Sequence, residues 1–216
     1  MPPDAIRALV AELEALPTTE DLFNPYTPPA NPGAVIRREN LTRYLTDLQP
    51  FEPEIMLVAE APGYRGCRLS GVPVTSERIL LRGVEKWGLF GAGYRATSGQ
   101  PGGVSEMTAT ILWNALVEHV DRPPLIWNTV PLHPHRPGEP QSNRTPRVPE
   151  LRLGQPFIEA AMRLFPIRMV LAVGRKAERA LTELGIAHFP LRHPSQGGKA
   201  DFVAGLRRAV EESRGG

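Results

Sequence analysis

The sequence is poor in several things, and each shortage excludes something. Among 216 residues there is one cysteine, Cys67. An internal disulfide and a four-cysteine metal centre are therefore excluded for this chain, and a free thiol in a reducing compartment is the expectation. Apolar runs are short: Met169 to Val173 is among the longest, far below the roughly 20 residues that cross a bilayer. No basic segment followed by an apolar stretch and a small-residue cleavage site opens the chain, so a cytoplasmic protein without a membrane segment is expected. Charge excess is also lacking. Lys+Arg number 25 against 23 Asp+Glu, a formal charge of +2, so bulk electrostatics point neither to nucleic acid nor to a membrane. Lysine is scarce, with only Lys86, Lys176 and Lys199. No G-x-G-x-x-G follows the first apolar run, and Val173-Gly174-Arg175-Lys176 carries a single glycine, which disfavours a nucleotide-cofactor enzyme.

What is present describes a globular α/β chain. The composition is 41% hydrophobic and 22% charged, near the globular average, and the length suits one core. Four short apolar runs lack polar alternation: Ile55 to Ala59, Leu125 to Thr129, Met169 to Val173 and a weaker Ala187 to Pro190. That pattern predicts buried parallel strands. Helical periodicity lies between and around them, at Ala5 to Leu16, Pro32 to Leu48, Ser76 to Trp87, Thr108 to Val120, Pro156 to Phe165, Arg175 to Leu184 and Lys199 to Glu212. The expected architecture is α/β, one domain over 1–216: a central four-stranded, mainly parallel sheet with helices on both faces. Its core covers about 50–212, and 1–49 forms an N-terminal helical extension. Arg122 to Pro149 contains eight prolines, too many for helix or central strand over most of its length. Long irregular segments of this kind usually have a use. Gly88 to Gly103 is a second irregular stretch.

In open parallel sheets, ligands bind beyond the carboxyl ends of the strands. Three ends carry chemistry here. Glu60-Ala61-Pro62-Gly63-Tyr64 follows the first run, Asn128 closes the second before Thr129-Val130-Pro131, and Arg192-His193-Pro194-Ser195-Gln196-Gly197-Gly198 follows the fourth. A carboxylate, an amide and an imidazole are expected on one rim. His133-Pro134-His135 has superficial metal spacing, but no cysteine or carboxylate partner accompanies it; no metal or other cofactor is expected.

These residues resemble the uracil-DNA glycosylase superfamily, particularly its thermophile-type four/five branches. The resemblance rests on Ala59-Glu60-Ala61-Pro62-Gly63 for G-E-x-P-G, Gly71-Val72-Pro73-Val74 for G-x-P-F, Asn128 ahead of Asn143-Arg144-Thr145-Pro146 for the strand asparagine and N-R-T-P, and His193-Pro194-Ser195 for H-P-S. It spans residues 55 to 198. It implies a monofunctional enzyme, expected as a monomer, that hydrolyses the N-glycosidic bond of uracil or a related deaminated base in DNA by base flipping. Glu60 would orient or activate water beside a cationic sugar. His193 would hydrogen-bond the uracil O2 as charge develops. Asn128 would read the base edge, with Ala61, Gly63, Tyr64 and Val74 completing the base pocket. DNA contacts are expected from the loop of Arg192, Ser195, Gln196 and Gly197, from Thr75 and Ser76 at a helix start, and from Arg144, with Arg65, Arg68, Arg136 and Arg147 flanking the rim.

Four departures from the family pattern matter. Val74 replaces a phenylalanine that stacks on the extruded base, forfeiting part of about 1–3 kcal/mol of stacking. Ala61 stands where another branch has a catalytic aspartate, and Gly63 stands where some relatives exclude the thymine methyl with a bulky ring. The four/five branches also carry an iron–sulfur cluster on four cysteines, which this chain does not possess. Together these open an alternative, a damage-binding protein that keeps the pocket and turns over slowly. A lysine attack on the sugar is not expected, because none of the three lysines lies in a motif.

Overall fold

The structure, a computed structural model, describes residues 3–28 and 32–215; the remaining positions of the expected 1–216 domain lie outside the described residues. In chain order the elements are α1 (Pro3–Ala15), β1 (Leu22–Phe23), α2 (Ala34–Asp47), β2 (Ile55–Ala59), α3 (Cys67–Ser70), α4 (Glu77–Arg82), α5 (Met107–His119), β3 (Leu125–Asn128), β4 (His133–Pro134), α6 (Val148–Arg163), β5 (Met169–Val173), α7 (Arg175–Glu183), β6 (Phe189–Leu191) and α8 (Lys199–Gly215). The apolar runs become a four-stranded sheet in the order β3-β2-β5-β6, every pair parallel. Their continuous hydrophobicity follows from burial on both faces: Met56, Leu57, Leu125, Ile126 and Leu171 are wholly buried.

The strand order fixes where a ligand can enter. From β2 the chain moves outward to β3; from β5 it moves the opposite way to β6. Right-handed crossovers then place α5 and α7 on opposite faces, with α8 packed on α5 and α1 on α6. The connections part between β2 and β5, so the crevice of this sheet opens at their carboxyl ends. The expected extension shares the core. Ile6, Leu9, Leu13, Leu41, Leu45 and Leu48 belong to the same apolar cluster as the strands, and the buried Tyr44 hydroxyl accepts the Ile126 N–H at 2.9 Å.

Several boundaries differ from the sequence expectation. The helix expected over Ser76 to Trp87 is cut at Gly83, whose φ of 79° suits glycine alone, and the rest becomes a 3₁₀ turn at Glu85–Trp87. Conversely α6 starts eight residues before Pro156 and runs through it. The missing hydrogen bond at Pro156 is offset by burial of Phe157, Ile158 and Ala161 and by a firm start, in which Glu150 accepts the Arg147 N–H at 2.7 Å. The last strand shifts to Phe189–Leu191. Its Pro190 is tolerated because β6 pairs on one side only. The irregular stretch before α5 is pinned by buried Glu77, whose Oε1 accepts from Thr97 N at 2.6 Å and Ser98 N at 2.8 Å, and whose Oε2 accepts from Val104 N at 3.0 Å.

Candidate active site

The end of β2 is locked to the end of β3 beyond the strands themselves. Ala59 is opposite Asn128 in register; Thr129 N–H donates to the Ala59 carbonyl at 2.7 Å, Val130 N–H donates to that of Glu60 at 3.2 Å, and the Thr129 hydroxyl also donates to Glu60 O. On the other side Gly174 N–H, just past β5, donates to Leu191 O on β6 at 2.8 Å. Around these ends lies a cavity of about 480 Å³, walled by Glu60, Ala61 and Gly63 beyond β2, Gly174 beyond β5, Lys176 at the start of α7, and His193 beyond β6. Two glycines let the imidazole sit there. A Cβ on Gly174 would approach the His193 Cβ to 2.9 Å, and one on Gly198 would meet the His193 carbonyl at 2.1 Å.

His193 has a defined tautomer. The Ser195 backbone N–H, which can only donate, reaches His193 Nδ1 at 3.2 Å, and the Ser195 hydroxyl lies 2.7 Å from the same atom. Nδ1 is therefore the acceptor, so the neutral ring carries its proton on Nε2. Burial pushes His193 below its ordinary value; Glu106 opposes this, while Arg192 and Lys176 reinforce it. The ring is thereby a neutral hydrogen-bond donor at neutral pH.

Glu60 is set differently. Burial pushes its carboxyl above the ordinary range and Lys176 pulls it back. Oε2 lies 3.4 Å from Lys176 Nζ, whereas Oε1 is buried with no hydrogen-bond donor among the protein groups. A lone buried acceptor of this kind costs about 1–3 kcal/mol until something donates to it.

Val74 forms part of the wall with a φ of 46°. A β-branched residue strongly resists that left-handed backbone. The shape is held by Trp113, whose Nε1–H donates to Val74 O at 2.9 Å, and such stored strain is characteristic of functional walls.

A family profile described as the uracil DNA glycosylase superfamily matches residues 46–205. The chain belongs to the uracil DNA glycosylase superfamily. The crystal structure of wild-type Pedobacter heparinus SMUG2 is similar, with a TM-score of 0.68 at 13% identity, covering 98% of this chain and 99% of that one; at that identity the likeness shows the fold. No curated protein matches the sequence.

Within this superfamily member, the expected site residues divide. Glu60, Ala61, Gly63, Val74, Thr75, Arg144, Arg192, His193, Ser195 and Gln196 share the cavity wall, and Gly197, the next residue, is exposed. Asn128 is buried and does not line the cavity; both of its amide atoms lack partners among the described residues. Tyr64 faces an adjacent hollow that shares Gly63, Glu106 and Asn143 with the first, and its N–H donates to Asn143 Oδ1 at 3.0 Å. The Thr75 and Ser76 hydroxyls are not free for a phosphate. Thr75 donates to Val72 O at 2.6 Å, and Ser76 caps α4 by accepting from Ile79 N at 3.4 Å. Arg144 is occupied as well, with a bidentate pair to Glu150 at 2.7 and 2.8 Å and a further bond to Asp21 O at 2.9 Å; it ties the proline-rich segment to α6. Of the flanking arginines, Arg147 pairs with Asp21 at 2.5 Å and Arg136 with Glu139 at 3.1 Å.

Sequence reasoning gave no site role to Lys176 or Glu106, and quoted Asn143 only as part of a motif. No lysine was expected to attack the sugar, and Lys176 instead pairs with Glu60, its Nζ 3.4 Å from Oε2. Its signal is in the sequence, where Lys176 follows the third strand end. Glu106 caps α5, accepting from Thr108 N at 2.9 Å and Ala109 N at 2.6 Å. His133 supports the site from behind. Its Nδ1–H donates to Pro62 O at 2.7 Å, and burial lowers its pKa to about 4. The residues do not fit the cluster of the four/five branches. Cys67 is buried, its thiol is pushed by burial up to about 12, and among the described residues no three His, Cys, Asp or Glu side chains are placed to share a metal. Among the described residues no helix is long and apolar enough to cross a membrane.

Proposed function

We propose that this protein is a monofunctional, monomeric DNA glycosylase that hydrolyses the N-glycosidic bond of uracil, or of a related deaminated base, after extruding the nucleotide into the cavity. The observation that carries this reading is the pairing on one cavity of a carboxylate with an unpartnered oxygen and a neutral histidine whose free proton is on Nε2. In the reaction, the C1′–N1 bond breaks with its electron pair passing to the base. His193 Nε2–H donates to the uracil O2 as charge builds there, an oxyanion-type contribution. Water adds to the cationic C1′ and gives its proton to the Glu60 carboxylate, as beside other oxocarbenium-like centres. Asn128 supplies recognition: its Oδ1 accepts from uracil N3–H and its Nδ2 donates to O4, a pattern cytosine reverses. Satisfying that stranded amide rewards the right base and penalises the wrong one. Access to Asn128 requires the wall near Ala61 to give as the base enters. Arg192, Gln196 and the adjoining Gly197 are the groups placed to meet DNA.

The test uses duplex and single-stranded oligonucleotides carrying uracil, hypoxanthine or xanthine, treated with alkali after incubation. Strand cleavage at uracil, lost in His193→Ala, is expected. A second reading, a damage binder with slow turnover, is favoured by Val74 and Ala61; tight binding to a uracil site with no release from any substrate would establish it. Binding should weaken as salt rises, because phosphate contacts release counterions, and a flat response would argue against DNA.

A further inference from the structure

We propose that Lys176 is the positioning residue for Glu60: by holding Oε2 it fixes the carboxylate at the cavity edge where water attacks. The inference rests on the glycosylase reading of this cavity and adds a residue that the family motifs do not contain. The two oxygens of Glu60 are unequally used, Oε2 lying 3.4 Å from Lys176 Nζ and Oε1 being buried without a donor. The Glu60 backbone is already fixed by Thr129 and Val130, so side-chain rotation is the freedom that remains, and the ion pair restrains it. Lys176 comes from a rigid element. It is the second residue of α7, whose Ala177, Ala180 and Leu181 are buried and whose preceding Gly174 is tied to β6. The pair also bridges β2 and β5, where the connections of the sheet part.

Other charged groups share this cavity: Glu106 at the start of α5, Arg175 on α7, Arg192 and His193 after β6, and Arg144 before α6. Arg144 is committed to Glu150, and among the described residues Lys176 is the cation in an ion pair with Glu60. Its influence is twofold, since it favours the carboxylate form of Glu60 and the neutral form of His193. Those are the two protonation states that the hydrolytic step requires. The ammonium held against a carboxylate acts as a charge and not as an amine nucleophile.

The test measures single-turnover excision of uracil across acid and neutral pH for the wild type, Lys176→Met, Lys176→Arg, Glu60→Gln and the double variant Glu60→Gln/Lys176→Met. Lys176→Met should lower the rate at neutral pH about tenfold and move the acid limb to higher pH, because loss of the cation raises the Glu60 pKa. Lys176→Arg should recover most of the loss, and in the Glu60→Gln background Lys176→Met should add almost nothing. An unmoved acid limb overturns the proposal. So does a full additional loss on top of Glu60→Gln, which would place Lys176 on the DNA, and so does a borohydride-trapped covalent adduct through Lys176. A carbon-13 NMR titration of the Glu60 carboxyl, without substrate, gives a readout independent of turnover: it should titrate at higher pH in Lys176→Met, and an unchanged titration refutes the coupling. If the wild type excises nothing, the glycosylase reading falls while the titration still decides the pair.

Discussion

Three buried asparagines contrast sharply. Asn24 donates to Leu13 O and Leu16 O at 2.8 Å each and accepts from Tyr26 N at 2.8 Å. Asn40 donates to Ser70 O and Arg95 O, again at 2.8 Å, and accepts from Arg95 N at 3.1 Å. Asn128, equally buried, has neither amide atom partnered among the described residues. Buried Glu77 and half-buried Glu60 differ in the same way, Glu77 using both oxygens on loop donors and Glu60 leaving Oε1 without a partner among the described residues. In these comparisons the groups away from the strand ends are saturated and those at the strand ends are not. Buried polar groups are almost always satisfied, so the unpartnered atoms of Glu60 and Asn128 fit the proposed working surface at the β2 and β3 ends, although Trp127 Nε1 and Arg68 Nε are unpartnered as well.

The contrast can be broken by experiment, most severely at the cavity. His193→Ala should reduce single-turnover excision by about 10²–10³, the cost of removing one donor from a developing anion, with thermal stability nearly unchanged. Loss of stability in step with activity would place His193 in the scaffold. Next, Asn128→Ala should abolish discrimination between uracil and cytosine sites while leaving the denaturation midpoint close to wild type, whereas Asn40→Ala should cost about 2 kcal/mol and leave excision per folded molecule intact. Equal destabilisation by both would dissolve the distinction.

Glu77→Gln replaces acceptors by an amide NH₂ that faces backbone donors and should cost about 2 kcal/mol in urea denaturation. Burial pushes the Glu77 carboxyl up, but hydrogen bonds from the Ser98 hydroxyl and the Val104, Thr97 and Ser98 amides outweigh it and hold the group below its ordinary value. The sign follows: its stabilisation is present above the unfolded value of about 4.3 and disappears as pH falls through the lower folded one, so Glu77→Gln should flatten the acid limb of the stability curve. Glu60 has the opposite sign. With its folded value raised, ionisation at neutral pH works against the fold, and Glu60→Gln should leave stability equal or improve it by up to about 1 kcal/mol while excision falls. A clear destabilisation would contradict the assignment.

The sheet was readable because five-residue apolar runs have few other uses, and the glutamate and histidine were readable because they directly follow such runs. The start of α6 was not, since Pro156 resembles a helix opening until the distant Arg144–Glu150 pair is known. For the same reason Arg144 looked like a phosphate contact: a motif names a residue type, not whether its guanidinium is already bound. Asn128 lay on the right strand, yet its separation from the cavity wall depends on packing that one strand does not encode. Lys176 was hidden because it opens a helix far along the chain from Glu60, and only the folding of β5 beside β2 brings the two together.

The twisted main chain at Val74 has a bearing on how this protein can change over time. A segment forced into a posture its own side chain resists springs back when its restraint is removed, and the restraint here is the indole of Trp113. Drift at position 113 would therefore first alter the contour offered to a guest base, well before it melted the domain, making that tryptophan a remote dial on substrate choice.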